Sequence, residues 1–441
     1  MRLLKFVVCF AGFLVAACGD GSFLEAQKKP RLPGDRIDPL AKISALKPDS
    51  SLRDVQPVLP PSFNADWPQP HGGPNHSPGH RSLSSQPSLQ WSVDIGEGTN
   101  NEERRILYPP VSDGQRLYSL DAGGRVIALA ANTGEEIWQR NPVPEQEEDG
   151  YGGGLSVANG KVYFAAGFSA VIAFDASNGE ELWRTALPTP SRAAPSIDRG
   201  RVFVITIDNR LIVLDGSDGR ILWSFEAPAA SATLLGGASP AAAAGAVIAA
   251  MSTGEIFAFS AASGRVVWDD ALKAIRGVGL SRAIPAARAL PVIDNDQVFA
   301  VGAGGFTTSI NFVTGQRIWD IELGGAETPI VLGDYIYMVS SPEHLVALRR
   351  KDGAVVWATN LGEILGDNDD DDPLHRIYTG PIAAGGHLVL VRGDGVLIFI
   401  QPSDGALKQR IELPGPTVLA PIVVNGTMYI LTEDGVLAAY R

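Results

Sequence analysis

The chain has 441 residues, enough for one large domain or two ordinary ones, and 45% of them are hydrophobic against 19% charged. Forty-nine glycines and 31 prolines, with only four methionines and few helix-period runs, indicate a turn-rich β protein and exclude a helical or disordered one. A net charge of −13, interrupted by no Lys/Arg cluster, excludes nucleic acid as a partner.

Arg2 and Lys5 form a short positive start, followed by an uncharged apolar run from Phe6 to Ala17. That run is shorter than the roughly 20 residues a membrane-spanning helix needs, and it matches the apolar core of a secretory signal. It ends in Leu14-Val15-Ala16-Ala17-Cys18, which resembles the bacterial lipobox. Residues 1–17 are therefore expected to be a lipoprotein signal peptide and Cys18 the lipidated residue, fixed to the membrane by two or more acyl chains. Cys9 is the other cysteine, so the rest of the chain has no disulfide framework, no CxxC and no haem-attachment motif. Gly19 stands where an Asp tends to retain such lipoproteins at the inner membrane, so the expected location is the periplasmic face of the outer membrane.

Residues 18–61 are polar, Pro-dotted and aperiodic, and read as a lipidated flexible tether; residues 62–88 read as an irregular strap. The strap carries His71, His76 and His80. Three imidazoles so close are raw material for a metal site, but their spacing fits no common closed site. The expectation is a strap leading onto the next domain, with no metal.

From residue 89 the chain repeats itself. A strand phrase, a polar turn with Gly and a closing tryptophan recur at Trp138, Trp183, Trp223, Trp268, Trp319 and Trp357, with Gln409 in place of a seventh. These positions are 38 to 52 residues apart. A period near 45 with four short strands per unit is the signature of propeller blades. A second phrase, a small residue, Pro, an apolar pair and a turn, opens each unit at Pro110, Pro195, Pro240, Pro291, Pro329, Pro381 and Pro421, with Gly154 replacing Pro in one. Eight openings predict an all-β, eight-bladed propeller over 89–441 with four-stranded antiparallel blades. The last unit stops at Arg441 one strand short, and Ser88-Leu-Gln-Trp91-Ser-Val stands alone before the first opening. Pairing of these N- and C-terminal strands is expected to close the ring and leave no free edge. The tryptophans are expected to be structural staples between blades.

Little in the ring speaks for catalysis. No GxSxG, HExxH or P-loop occurs in a suitable context. Asp367-Asn-Asp-Asp-Asp-Asp372 lacks the Gly and closing Glu of a calcium loop, so a solvated acidic loop is expected. Three connections between units are enlarged beyond a turn, 139–153, 269–290 and 358–380, and the connection 224–239 exposes Leu234 and Leu235 beside small residues. Loops on a rigid scaffold carry binding, and Leu234 beside Leu235 suggests a contact patch.

The repeat resembles that of quinoprotein (PQQ-dependent) dehydrogenases, which hold a calcium–quinone pair over the axis and commonly carry an adjacent-cysteine disulfide. Here such cysteines and long insertions are missing. More particular are Ser231-Ala-Thr-Leu-Leu-Gly-Gly-Ala-Ser-Pro240 and Leu374-His375-Arg376 with Thr379 and Pro381. With these, residues 89–441 resemble the BamB family of propeller lipoproteins of the outer-membrane protein assembly (BAM) machinery. The resemblance implies a non-enzymatic scaffold without cofactor that binds a BamA-like barrel-inserting subunit and assists unfolded outer-membrane protein clients. Its contact loops map onto Thr233, Leu234, Leu235 and Gly236, and onto Arg282, Ala286 and Arg288. Leu235 replaces the family's arginine, and Ala286 and Arg288 stand about where the family has Asp. A quinone- and calcium-dependent dehydrogenase and a ligand-binding envelope propeller are the rival readings.

Overall fold

The computed structural model describes residues 46–49, 52, 60–99, 104–144, 152–228, 237–272, 288–303, 305–341, 343–366 and 373–441. Among these, thirty-three strands assemble into eight separate sheets, with one short α-helix (Leu361–Leu365) in the connection after the sixth and 3-10 turns at Pro70–Gly72 and Pro373–Arg376. Blades 1 to 7 span 111–140, 153–186, 196–226, 241–271, 292–321, 330–360 and 378–412. Blade 8 joins 422–440 to Leu89–Asp94. The protein is an eight-bladed β-propeller.

Each blade is a meander of four antiparallel strands. In blade 3 the register Ser196↔Phe203, Phe203↔Val213 and Val213↔Trp223 stacks one row of side chains across the sheet. The first strands of successive blades touch one another, as Ser196–Asp198 touches Ala241–Ala243, and so line the axis. The second and third strands are buried on both faces; the fourth alternates between exposed and partly buried residues and forms the outer rim. The apolar core is a series of seams between neighbouring sheets. One seam joins Phe164 and Phe174 of blade 2 to Tyr118 and Trp138 of blade 1.

Leu89–Asp94 pairs antiparallel with Val436–Tyr440, so the two ends of the propeller share one sheet and the ring is closed. That closure satisfies the strand edges the termini would otherwise leave open.

A bulge recurs in the third–fourth strand pairing of every blade, immediately before the tryptophan position. An extra residue there rotates the next side chain. In blade 1 it leaves Ile137 unpaired and sends Trp138 toward blade 2, where its indole N–H donates to the Ala176 carbonyl at 3.1 Å. Trp183, Trp223, Trp268, Trp319 and Trp357 donate in the same way to the turn of the following blade at 2.8–3.3 Å. The turn glycine of that blade lies under the ring. At Gly179 (φ +71°) an added Cβ would come within 2.6 Å of Trp138, so glycine is required by both backbone and contact.

The stretch expected to be free tether meets the ring before residue 61. Asp49 N–H donates to the Val355 carbonyl at 2.9 Å, and Leu46 and Leu52 pack against the seams on either side of blade 6. Cys18, the signal peptide and the remainder of the tether lie outside the described residues.

Candidate functional site

Two regions of the ring offer surface for function: the face carrying the inter-blade connections, and the axis. Of the contact residues expected on the first, Arg288 is described; Thr233, Leu234, Leu235, Gly236, Arg282 and Ala286 lie outside the described residues, as does the acidic run Asp367 to Asp372. Arg288 is exposed at the end of its connection, and its Nη1 lies 3.9 Å from Glu327 Oε1. In the connection between blades 6 and 7, His375 Nε2 lies 3.2 Å from Asp394, which Arg392 also holds at 2.7 Å. Thr379 and Pro381 are buried in the first strand of blade 7.

The axis is filled by the strap. From residue 62 to 81 it forms a loop whose ends pair at Ser62 and Arg81, and between them it touches all eight blades around the axis. Asn64 O accepts from Asn425 N–H of blade 8 at 3.0 Å, and Trp67 exchanges two backbone bonds with Ser112 of blade 1. Pro68 O accepts from Val157 N–H of blade 2 at 2.8 Å. The Gln69 side chain accepts from Ile197 N–H and donates to Ile197 O in blade 3, at 2.9 and 2.8 Å. Pro74 O and Asn75 O accept from Ala242 and Ile293 of blades 4 and 5 at 2.6 and 2.8 Å. His71 faces the Pro329 carbonyl of blade 6. His80–Arg81 pairs parallel with Ala383 and Ala384 as a fifth strand of blade 7.

Ser112, Ile197, Ala242 and Ile293 each stand two places after their opening proline. The strap thus meets equivalent inner-strand amides that face the axis and would otherwise lack a partner.

The three histidines are directed to different blades. His76 Nδ1 bonds the Pro291 carbonyl at 2.8 Å, and His80 Nε2 accepts from Gly386 N–H at 2.8 Å. Burial holds the His76 pKa down at about 4; burial, with the neighbouring His76, holds His71 at about 3. Both are neutral at physiological pH. Arg81 is buried with its guanidinium 5.1 Å from the centre of the buried Trp67 ring, and burial lowers its pKa to about 10.

Toward the connection face, the axis opens as a cavity of about 300 Å³ whose floor is Pro70 and His71 of the strap. Its walls come from residues just ahead of the first strands, among them Ile106, Tyr108, Leu290, Glu327 and Leu419. Tyr108 donates its hydroxyl to the Gly237 carbonyl, tying blade 1's entry to that of blade 4. Burial raises the Glu327 carboxyl above its ordinary range; Arg288 and the Gly380 N–H oppose the shift. Burial also raises Glu433, against Arg105.

The axial residues escaped the sequence reading apart from His71, yet a signal for them exists. Tyr108, Glu327 and Leu419 each lie two places before an opening proline, the point at which the chain turns into the axis. Glu327 is the one carboxylate among the eight residues in that position.

These residues do not fit a calcium–quinone pair. The strap fills the axis below the cavity, and among the described residues no group of three or more His, Cys, Asp or Glu side chains is placed to hold a metal.

Comparison with known proteins agrees with this geometry. The profile of the family described as outer membrane protein assembly factor BamB matches residues 85–146, 122–359 and 362–441. The BamB of Salmonella typhimurium is 30% identical over 363 residues, covering 80% of this chain and 88% of that protein. The Escherichia coli BamB is 29% identical over 359 residues, covering 79% and 87%. The crystal structure of BamB from Moraxella catarrhalis superposes with a TM-score of 0.67 at 20% identity, covering 81% of this chain and all of that one. The quinohemoprotein alcohol dehydrogenase of Comamonas testosteroni shares the fold at TM-score 0.65 and 13% identity, covering 85% and 80%. The strap bonded through the axis precedes the first matched residue, 85. With its profile matching from residue 85 to the C-terminus almost without a break, the chain belongs to the BamB family of outer-membrane protein assembly factors.

Proposed function

We propose that the protein is a non-enzymatic scaffold of the outer-membrane β-barrel assembly complex, held at the periplasmic face of the outer membrane by lipid on Cys18. It docks a BamA-like barrel-inserting subunit through the connection face and assists the folding and insertion of outer-membrane protein clients. The observation that carries this reading is the match, over four fifths of the chain, to proteins named as assembly factors. The strap supports it against the dehydrogenase reading, because its backbone takes the axial amides and leaves the connection face as the available working surface.

The contact set is Thr233, Leu234, Leu235, Gly236, Arg282, Ala286 and Arg288, and Leu234 with Leu235 forms its apolar centre. Apolar anchors in a desolvated patch carry most of the energy of an interface. The Leu234→Asp, Leu235→Asp double variant is expected to lose the barrel-inserting subunit in affinity purification from solubilised envelopes, with an unchanged melting temperature. Undiminished recovery of that subunit, or an unfolded variant, rejects the assignment of this loop.

A further inference from the structure

The axial cavity has a chemistry that the scaffold reading does not use. His71 lines its floor, and the Nε2 of that ring is buried and without a hydrogen-bond partner. The other ring nitrogen faces the Pro329 carbonyl, which keeps the proton there and leaves Nε2 with a bare lone pair. Glu327 adds a carboxylate whose nearest cation, Arg288, stands at 3.9 Å, the outer limit of an ion pair. Tyr108 has committed its proton to Gly237. The interior therefore offers acceptors, while Arg105 and Arg288 are exposed side chains of the cavity wall. The walls also carry the buried aliphatic side chains of Ile106, Leu290 and Leu419.

A pocket lined by acceptors and aliphatic side chains takes a donor on an aliphatic stem. The chain's net charge of −13 favours the approach of a cation. A carboxylate ligand would meet the like charges of Glu327 and Glu433. A metal ion lacks a third ligand, since no such cluster exists among the described residues.

We propose that the axial cavity is a binding site for an alkylammonium group, the side chain of a lysine on a partner protein, with Glu327 receiving its N–H bond above the floor that His71 lines. The site's chemistry stands on the cavity alone; assigning the lysine to a protein partner rests on the docking reading above, because the cavity opens toward the same connections. The strap makes the site possible by closing the axis beneath it, so the stem enters a blind pocket.

The test uses the full chain and three capped tripeptides, Gly-Lys-Gly, the same with norleucine for lysine, and the same with Nε-acetyl-lysine, titrated by calorimetry. Saturable binding is expected for the lysine peptide alone, and Glu327→Gln should weaken it about tenfold or more with an unchanged melting temperature, as loss of a charge-assisted bond does. Equal binding of the norleucine peptide, or full affinity in Glu327→Gln, overturns the site. Free n-butylamine is a fourth titrant; tighter binding of the amine than of the lysine peptide overturns the protein source. Pull-down of the barrel-inserting subunit is scored separately. Its failure beside intact lysine binding removes the docking reading, and its success beside absent lysine binding removes the site.

Discussion

The ring and the strap through its axis both satisfy backbone groups in a dry interior, and they do so by opposite means. In the ring, amides pair chiefly between neighbouring strands of one blade, and one device, a bulge that sends a tryptophan over the next blade's turn glycine, is repeated around the circle. In the strap nothing repeats. Asn64, Trp67, Pro68, Gln69, Pro74 and Asn75 each meet a different blade, by backbone in most cases and by a side chain at Gln69. Repetition distributes stability over many equivalent contacts, whereas a single thread concentrates it in a few unlike ones. Local damage should therefore differ in kind. A ring defect opens one apolar seam; a strap defect orphans polar groups at the axis.

The largest effect is expected where the ring device is broken outright. Trp138→Ala removes a side chain 5% exposed, its bond to Ala176 and the cover of Gly179, and should cost about 3–5 kcal/mol in chemical denaturation. Gly179→Ala attacks the same seam from the other side, through positive φ and the 2.6 Å approach to Trp138. The two together should cost less than their sum, because they share one contact. Strict additivity would show that tryptophan and glycine are not one unit.

A smaller loss is expected in the strap. Gln69→Ala leaves the buried Ile197 N–H and C=O without partners and should cost about 2–4 kcal/mol, at roughly 1–3 kcal/mol for each orphaned group. Hydrogen exchange gives the sharper measurement. The amides of Ile197, Ala242 and Ile293 should exchange faster in the variant, while that of Val213 in the same blade stays protected. Unchanged exchange at the inner amides would mean that the strap rests on the axis without holding it.

The same contrast explains what the sequence made legible. Eight opening phrases and six tryptophans at a period near 45 fixed blade number, strand count and ring closure, because a repeat is a physical unit that stacks on copies of itself. The bulges were invisible, since an extra residue inside a strand leaves the apolar pattern almost unchanged. The strap was legible as irregular and no further. Its bonds run largely through backbone carbonyls, which carry no residue signature, so His71, His76 and His80 stood out as a possible metal strip and not as parts of a plug. Glu327 and Tyr108 passed unnoticed because only the fold shows that the position before each opening phrase turns into the axis. Of the expected contact residues, only Arg288 can be placed.

Acid offers the finest comparison, because the strap carries buried imidazoles. A histidine held below its ordinary pKa binds its proton more readily in the unfolded chain than in the folded one. Stability is then complete above the unfolded value of 6.5 and is lost as pH falls from 6.5 toward the folded value. For His76 the folded value is about 4, so its share of the loss between pH 7 and pH 5 is about 2 kcal/mol. Among other groups, Asp113, Asp208 and Asp352, held low by hydrogen bonds that outweigh burial or by the partner arginine, add to an acid loss, and Glu327 and Glu433, raised by burial, oppose it. The comparison that isolates His76 is therefore between the protein and His76→Asn, an amide that tolerates the positive φ of 57° at this position. The variant should be less stable at pH 7, having lost a well-placed bond to Pro291, and its stability should fall less steeply between pH 7 and pH 5. Parallel slopes would mean that His76 is not sealed from water, and hence that the strap does not close the axis around it.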